Sequence, residues 1–396
     1  MFVTREVQQK ALVAAACMVA LMSTPTFAQE SPLGQTQTAA LAETASAQQA
    51  APQDSGILNF FSKTELSGTA DVYFHYNFNE PPTGSLTPLR NFDFEHNQFS
   101  LALAEIALSK PPTADDRVGF RLDLDYGPVA AWVASADPGG PEVFQNIQQA
   151  YISYLAPAGT GLTFDVGKFV TQHGAEVIEA KDNWNYSRAL LFSWAIPYYH
   201  MGLRVGYSPN DKATIGASVT NGWNNSTDNN SAKTYGLQGI FKPVAPLTAV
   251  VNYMGGPEQT DNSDDWRHLF DITLTYAIDD VFSVMGNYDY GRDEVLGSGV
   301  TWQGVGVYLK AQATPYFAVI PRYEYYNDED GFTTGAAQNV QEFTLTAEVK
   351  HSQGLLLRLE YRRDWSDVDF FSKNGTPRDN QNTFTAGLVY SFSTKQ

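Results

Sequence analysis

Charged side chains recur at every second position in several segments of the sequence. Between Val118 and Tyr126, the residues Arg121, Asp123 and Asp125 alternate with apolar residues. Residues two apart lie on the same face of a β-strand, so these groups share a face. Rows of carboxylates and guanidinium groups can pair across neighbouring strands, or they can attract ions and polar solutes. Either chemistry requires strands that hold the rows side by side.

Catalytic and metal-binding chemistry have little support in the sequence. His96 and Ser100 lie four residues apart, which is about 13 Å along a strand, so a nucleophile and its base do not meet there. No Gly-x-Ser-x-Gly motif is present, and the six histidines lack the paired spacing of metal ligands. The acidic cluster around Asp264 lacks the ligand spacing of a calcium loop. We therefore expect no enzyme activity, no cofactor and no bound metal.

The composition excludes several classes of protein. Aromatic residues make up 13% and charged residues 17% of the 396 residues, and this aromatic content is too high for a disordered chain. The formal net charge of −18 argues against nucleic acid as a partner, because binding to phosphates needs a basic face. After the N-terminal segment, no apolar run is long enough for a transmembrane helix.

Residues 1–28 indicate a secretory signal peptide. Arg5 and Lys10 precede an apolar stretch, and Thr26-Phe27-Ala28 supplies small residues at the positions that a signal peptidase reads, so we place cleavage after Ala28. Cys17, the single cysteine, lies inside the apolar stretch, where lipidation is the alternative. Residues 29–65 are rich in Gln, Ala, Thr and Ser and predict a flexible periplasmic tether, with a short helix or coiled coil as the alternative.

From residue 66 onward, apolar residues alternate with polar ones in a series of short segments, which is the pattern of strands with one apolar face. The pattern predicts sixteen strands, with fourteen as the alternative because the second and fourth are the least regular. The predicted strands cover residues 66–78, 98–109, 117–127, 146–155, 161–170, 200–208, 212–222, 234–243, 246–256, 267–278, 281–291, 300–311, 315–326, 340–350, 354–365 and 382–392.

The connections between these strands alternate in length. Those after even-numbered strands are short, as in Pro209-Asn210-Asp211, and those after odd-numbered strands are mostly long, as in Asn327–Gln338. Aromatic residues such as Tyr126 and Tyr154 end the strands on both sides. These features are typical of an all-β transmembrane antiparallel up-and-down barrel over residues 66–392, with short periplasmic turns, long extracellular loops and a periplasmic extension at 393–396. A soluble β-sandwich or propeller is the alternative.

The chain from residue 66 to residue 392 resembles the OmpL-like β-barrel porins of Gram-negative outer membranes. The resemblance is carried by Gly167-Lys168-Phe169, Thr171, Gly174, Glu176, Asn185, Ser187-Arg188, Leu191-Phe192, Ala195, Pro197, His200, Gly202 and Arg204. It implies a channel in the cell outer membrane, reached by export through a cleaved signal peptide. Sixteen-stranded porins are often homotrimers, so the resemblance also suggests a homotrimer, although no interface signature appears in the sequence.

If the apolar residues face lipid, the charged residues of the strands face the lumen. The predicted lumen-facing residues are Arg121, Asp123, Asp125, Lys168, Arg204, Arg322, Glu324, Glu342, Glu348, Arg358, Glu360 and Arg362. Charged groups in this number are too costly in hydrocarbon, so they indicate a polar, water-filled interior. On strands thirteen to fifteen, cross-strand pairs that brace the wall are the favoured interpretation, and rings of charge that select solutes are the other.

The segment from Thr171 to Tyr199 is the predicted channel constriction. It follows an odd-numbered strand, so it starts at the outer side, and its many aromatic residues predict that it folds inward rather than standing in solvent. The candidate residues are His173, Glu176, Lys181, Asp182 and Arg188, and the resemblance suggests that Glu176 and Arg188 line the narrowest part. The alternatives are that this loop packs at a subunit interface or caps the barrel.

The last predicted strand ends with aromatic and apolar residues at a spacing of two. Phe384, Leu388, Tyr390 and Phe392 resemble the C-terminal signal that the barrel-assembly machinery recognises. We expect an outer-membrane porin that passes small hydrophilic solutes and ions by diffusion with a mild cation preference. The expected partners besides these solutes are outer-membrane lipid, lipopolysaccharide and the assembly machinery. The alternative function is a closed or plugged barrel that acts as an adhesin or structural anchor.

Overall fold

The computed structural model describes residues 55–82 and 84–395. The predicted signal peptide and most of the predicted tether lie outside the described residues. The chain divides into an N-terminal unit up to Lys63 and a second unit that begins at Thr64. The described part of the first unit is the helix α1, Ser55–Lys63, which lies within the segment predicted to be a flexible tether. No helix in the described ranges is long and apolar enough to cross a membrane.

The second unit is a closed barrel of sixteen antiparallel strands. Its strands are β1 Glu65–Asn77, β2 Gln98–Lys110, β3 Val118–Tyr126, β4 Ile147–Ala156, β5 Leu162–Val170, β6 Tyr199–Asn210, β7 Ala213–Thr220, β8 Thr234–Phe241, β9 Leu247–Pro257, β10 Trp266–Ala277, β11 Phe282–Val295, β12 Ser298–Thr314, β13 Phe317–Asp328, β14 Gln338–Lys350, β15 Leu355–Ser366 and β18 Asn380–Ser393. The prediction of sixteen strands is confirmed, and the alternatives of fourteen strands and of a soluble sandwich or propeller are wrong.

Short elements interrupt the connections between the barrel strands. They are α2 Pro128–Val133, α3 Pro141–Phe144, a 3-10 turn Ala180–Asp182, a π-helical turn Leu191–Ala195, and a small hairpin of β16 Phe371–Lys373 and β17 Thr376–Arg378. All of them lie in connections that follow odd-numbered strands of the barrel or, for the hairpin, in the connection between β15 and β18. The long-loop end of the barrel is therefore the end that carries additional structure.

The barrel closes where its first strand pairs with its last. Gly68 lies opposite Phe392 and Val72 opposite Leu388 in this pairing. A Cβ atom on Gly68 would lie 2.7 Å from the Phe392 ring, so the glycine leaves the space that the ring occupies. Beyond β18, the N–H of Thr394 donates to the carbonyl of Leu66 at 3.0 Å. The predicted C-terminal extension therefore begins inside the closing seam rather than after it.

The two faces of the wall differ in polarity as the alternation predicts. On β13 and β14, Tyr323, Tyr325, Phe343 and Leu345 are exposed on the outer face. The residues between them point inward and are almost fully buried, Glu342 among them at 0% exposure. Exposed tyrosines near the strand ends form two outer girdles: Tyr126, Tyr235, Tyr288, Tyr323, Tyr325 and Tyr361 at the long-loop end, and Tyr154, Tyr276 and Tyr390 at the short-turn end.

The first three long loops enter the barrel and form a shared apolar core. We name them L1 (residues 78–97), L2 (127–146) and L3 (171–198). Phe92 of L1 contacts Phe192 and Tyr198 of L3, with ring centroids 5.7 Å and 5.8 Å apart. Asn91 donates to the carbonyl of Ser193 at 3.0 Å. Leu89 of L1 and Val129 and Ala130 of L2 belong to the same buried cluster. The interior is therefore organised around these loops.

Candidate functional site

L3 folds into the barrel interior and packs against the wall. It leaves β5 at Val170, and its central part is fully buried, with Leu190 and Leu191 at 0% exposure. Aromatic side chains hold it to the wall, since Trp302 of β12 donates from its indole nitrogen to the carbonyl of Ala195 at 3.0 Å. A loop with so many apolar residues gains more from packing here than from standing in solvent.

Carboxylates of the wall accept hydrogen bonds from the backbone of L3. Glu360 of β15 accepts from the N–H groups of Tyr186 and Ser187 at 2.8 Å and 3.1 Å. Glu324 of β13 accepts from the N–H groups of Leu190 and Leu191 at 2.6 Å and 3.2 Å. Buried backbone N–H groups of an irregular loop have no strand or helix partners, so these carboxylates satisfy donors that would otherwise be unpaired.

Arginines of the wall donate to the carbonyl groups of the same loop. Arg322 donates to the carbonyl of Ser187 at 2.7 Å, and Arg362 donates to the carbonyl of Arg188 at 2.8 Å. Arg358 donates to the carbonyls of Ala180, Asn183 and Asn185. Together with the two carboxylates, these arginines form what we call the loop anchor, Arg322, Glu324, Arg358, Glu360 and Arg362.

The arginines of the loop anchor also pair with carboxylates on neighbouring strands. The Nε of Arg322 lies 2.7 Å from Oε1 of Glu342, and Nη2 of Arg358 lies 2.7 Å from Oε2 of Glu348. Bracing of the wall, which the sequence favours for these strands, is therefore present. These arginines have a second role that cross-strand spacing alone does not reveal, because each guanidinium group also donates to carbonyl groups of the loop.

Glu176 and Arg188, expected to line the narrowest part, are buried between L3 and the wall, each at 4% exposure. Glu176 pairs with Arg322 at 2.8 Å and accepts from the N–H of Ala189 at 2.7 Å. Arg188 donates to the carbonyl of Val177 at 3.1 Å, and its guanidinium group lies 4.6 Å from the centroid of the Phe92 ring. Both residues fix the shape of the loop rather than face open space, because each is fully occupied by neighbouring groups.

The other three predicted constriction residues lie in different surroundings. His173 is buried and hydrogen-bonded to Thr171. Burial lowers the pKa of His173 to about 3, helped by the nearby His200, so the ring is neutral. Lys181 and Asp182 pair with each other on the 3-10 turn, and their side chains are 30% and 57% exposed. Of the five predicted residues, only these two present charge to accessible space.

The wall opposite the loop anchor carries partly exposed arginines. Arg121 donates through Nε to Asp123 at 2.7 Å, and Arg204 donates through Nε to Asp165 at 2.9 Å. The side chain of Arg121 is 39% exposed. Glu179 of L3 lies close enough to Arg121 to interact electrostatically with it. In this half of the interior, partly exposed charged groups of the loop therefore face partly exposed charged groups of the wall.

Apart from Arg121 and Arg204, the predicted lumen-facing residues are at most 2% exposed: Asp123, Asp125, Lys168, Arg322, Glu324, Glu342, Glu348, Arg358, Glu360 and Arg362. Lys168 lies over the ring of Tyr199, 4.0 Å from its centroid. Glu105 and Glu179 are absent from the predicted set, although both interact electrostatically with Lys181. Glu179 is charged and close to the family motif, which is a signal that could have identified it.

The closed barrel agrees with a comparison against protein families. The model of the beta-barrel porin-2, OmpL-like family matches residues 63–392. The chain belongs to this family. A porin of this family is an outer-membrane protein, and porins typically form channels. No protein with a curated description matches the sequence.

Solved structures of outer-membrane channels share the fold of this OmpL-like porin. The anion-selective porin of Comamonas acidovorans has a TM-score of 0.59 at 10% identity, covering 83% of this chain and 99% of that one. The outer-membrane channel DcaP of Acinetobacter baumannii has a TM-score of 0.57 at 12% identity, covering 83% and 97%. The trimer form of OmpT from Vibrio cholerae has a TM-score of 0.56 at 14% identity, covering 83% and 99%. At these identities the likeness shows the fold alone.

The predicted assembly signal lies on the last strand of this porin. Phe384, Leu388, Tyr390 and Phe392 lie at alternate positions of β18, with Tyr390 and Phe392 exposed on the outer face. No group of three or more His, Cys, Asp or Glu side chains in the described part of the chain is arranged to hold a metal ion.

Proposed function

We propose that this OmpL-like porin forms a water-filled channel for the passive diffusion of small hydrophilic solutes and ions. One observation carries the proposal: L3 is bonded to β13 and β15, while the wall from β3 to β6 keeps Arg121 and Arg204 partly exposed. The path therefore runs between L3 and this opposite wall. A polar surface inside a closed barrel acts on solutes only where water and solutes reach it.

The constriction lies where the 3-10 turn of L3 approaches the wall. Lys181, Asp182 and Glu179 contribute charge from the loop, and Arg121 and Arg204 contribute it from the wall. Glu176, Arg188 and His173 act on this constriction indirectly, because they fix the loop from which Lys181 and Asp182 project. The five residues predicted from the sequence thus divide into two that face the path and three that shape it.

The channel has a mild cation preference. The partly exposed charges along the path sum to zero, because there are three acids, Asp165, Glu179 and Asp182, and three bases, Arg121, Lys181 and Arg204. Exposed acids at the long-loop end, Asp261, Asp264, Glu329 and Asp330, are not balanced by exposed bases on the same two loops. Their field raises the local concentration of cations at the channel mouth, and it is screened over about 10 Å at 0.1 M salt.

Planar-bilayer recording of the purified protein tests the function and the selectivity together. Discrete conductance steps are expected, with a reversal potential of cation-selective sign under a KCl gradient. Asp182→Asn removes one acid from a balanced path and is expected to move the reversal potential toward that of chloride. Asp115→Asn removes an exposed acid from the turn between β2 and β3 and serves as the charge-matched control. A folded barrel without any conductance would contradict the channel.

A closed barrel that acts as an adhesin or anchor is the second candidate, and one observation favours it. Leu89, Phe92 and Phe94 of L1 are each at most 5% exposed, so L1 adds to the material that fills the barrel beside L3. Absence of conductance from verifiably folded protein would favour this function, with the outer loops as its binding surface. Conductance steps would favour the channel.

The proposed partners follow from the surfaces of the barrel. Outer-membrane lipid and lipopolysaccharide contact the outer apolar face and its tyrosine girdles, and the barrel-assembly machinery recognises Phe384, Leu388, Tyr390 and Phe392 on β18. A homotrimer is the proposed assembly, supported by the trimer form in which OmpT of Vibrio cholerae was solved. The chain is exported through an N-terminal signal peptide, residues 1–28, which is then cleaved. It catalyses no reaction.

A further inference from the structure

A cavity of about 270 Å³ lies in the inner wall between β5 and β8. It exists because Gly206 of β6 and Gly216 of β7 lie opposite each other in the strand pairing. A Cβ atom on Gly206 would meet no atom within 4 Å, so the missing side chain leaves open space. Gly206 lies two residues from Arg204 and therefore shares its inward face. The wall here is reduced to backbone on the side of the channel path.

Arg204 stands at the edge of this cavity with a fixed guanidinium group. Its Nε donates to Asp165 at 2.9 Å, and Asp165 in turn accepts from Ser153 at 2.5 Å. The guanidinium carbon lies 5.1 Å and 4.6 Å from the ring centroids of Tyr151 and Phe169. Three independent contacts therefore hold the plane of the group, which reduces the conformational entropy that a bound solute would otherwise have to remove.

The outer edge of this guanidinium group is unused. Within the residues that the structure describes, neither Nη of Arg204 donates a hydrogen bond to a protein acceptor. The two Nη groups of arginine form a fork that matches the two oxygens of a carboxylate. Gln172 and Gln238 line the same cavity and are joined by a hydrogen bond of 3.2 Å, and Thr163 and Thr214 add hydroxyl groups. Hydrogen-bond donors and acceptors therefore surround the open space.

We propose that this cavity is a binding subsite for small monocarboxylates that also carry a hydroxyl or amide group, with Arg204 as the residue that holds the carboxylate. The inference rests on the proposed channel function, because it places the subsite on the solute path. Asp165 beside Arg204 disfavours a second negative charge, so a monoanion fits better than a dianion. A volume of about 270 Å³ equals that of about nine liquid water molecules, which is enough for a short acid and part of its hydration.

A local subsite for carboxylates is compatible with a mild cation preference of the whole channel. Selectivity between K⁺ and Cl⁻ follows the summed field along the path. Retention of a carboxylate at Arg204 follows paired hydrogen bonds and the shape of one cavity. The two properties therefore respond to different substitutions.

Lactate and lactamide are the probes for the test, because they share a shape and differ in the carboxylate. Lactate added to constant KCl is expected to reduce the single-channel current in a saturating manner, whereas lactamide leaves it unchanged. Arg204→Gln and Gly206→Val are each expected to weaken the lactate effect by about tenfold or more, the first by removing charge-assisted hydrogen bonds and the second by filling the cavity. Arg204→Lys keeps the charge without the fork and should also weaken it.

Two matched variants complete the design. Arg378→Gln alters an exposed arginine of β17 and should leave the lactate effect unchanged. Arg121→Gln removes a wall charge outside the cavity, so it should shift the reversal potential while saturation by lactate persists. Saturation-transfer NMR on the folded barrel in detergent measures lactate binding whether or not current flows, with folding checked by heat-modifiable migration in gels.

The outcomes separate the subsite from the channel. Lactate binding that is lost in Arg204→Gln and Gly206→Val supports the subsite, even if no conductance is found and the channel function fails. Conductance without a lactate effect, or a lactate effect that both variants retain, overturns the subsite and leaves the channel standing.

Discussion

Neutralising Glu360 is expected to loosen L3 from the wall without unfolding the barrel. Glu360→Gln keeps the size of the side chain and one acceptor oxygen, but it replaces the other oxygen with an NH₂ group. Glu360 accepts from the backbone N–H groups of Tyr186 and Ser187 and from the hydroxyl of Thr346 at 2.7 Å. In the variant, the NH₂ group must face at least one of these donors, so one hydrogen bond becomes a contact between two donors.

The size of the effect follows from the two backbone hydrogen bonds. Hydrogen bonds to a charged acceptor contribute about 1.5–3 kcal/mol, and neutral ones contribute about 0.5–1.5 kcal/mol. Loss of the charge costs about 1 kcal/mol for each bond, so about 2 kcal/mol in total is a lower bound, because the bond that becomes a donor–donor contact is lost rather than weakened. A change of this size increases the population of loop-open states by about 30-fold.

Hydrogen-exchange mass spectrometry of the peptide that covers residues 171–198 measures this opening. Faster exchange by about 30-fold is expected for this peptide, with unchanged exchange in the strands. Asp123→Asn is the control, because Asp123 is equally buried but bonds to Arg121 and Gln149 and, among the described residues, not to L3. Exchange of L3 that stays within twofold of the wild type in Glu360→Gln would refute the anchoring role.

Two further predictions concern a glycine and a loop carboxyl. A Cβ atom on Gly387 would lie 2.2 Å from the ring of Tyr186, so Gly387→Ala should destabilise the barrel by about 1–3 kcal/mol in thermal gel-shift assays. Gly286→Ala is the control and should not destabilise it, because a Cβ there has only one neighbour, at 4.0 Å. Equal melting temperatures of the two variants would contradict this prediction. Burial raises the pKa of Glu258 from 4.5 to about 7. In this range the folded chain keeps a proton that the unfolded chain loses, so the packing of residues 221–233 should weaken as the pH rises from about 4.5 to about 7. Glu258→Gln should abolish that pH dependence of hydrogen exchange, and an unchanged dependence would show that another group titrates.

The strands were predictable because their side chains must satisfy lipid on one face and water or protein on the other. The ends of the strands were less predictable on the long-loop side of the barrel. The prediction ends one strand at residue 291 and starts the next at 300, whereas β11 and β12 continue to Val295 and from Ser298. Arg292 pairs with Thr301 in this extension. Above the apolar band the ladder of hydrogen bonds continues while the apolar alternation ends, so hydrophobic periodicity gives no information there.

The entry of L1 into the barrel was not predicted, although its sequence carries a weak signal. Leu89, Phe92 and Phe94 are large apolar residues in a loop that otherwise resembles a solvent-exposed connection. Phe92 is buried against Phe192 and Tyr198 of L3, about a hundred residues further along the chain, and Phe94 contacts Trp132 of L2. Periodicity reports on local structure, so it identifies residues that need burial without identifying what buries them.

The sequence pattern likewise does not reveal which of the lumen charges are free to act on a solute. Counting acids against bases treats each charge as free to act on a solute, yet Arg322, Arg358 and Arg362 are occupied by carboxylates and by loop carbonyls. The carbonyl and N–H groups that they serve belong to every residue, so no residue type in the sequence marks them as partners. The charges that act on a solute are those left without backbone partners. In this barrel the loop anchor removes Arg322, Arg358 and Arg362 from that set, so Arg121 and Arg204 of the wall and Lys181 of L3 carry the positive side of the proposed path.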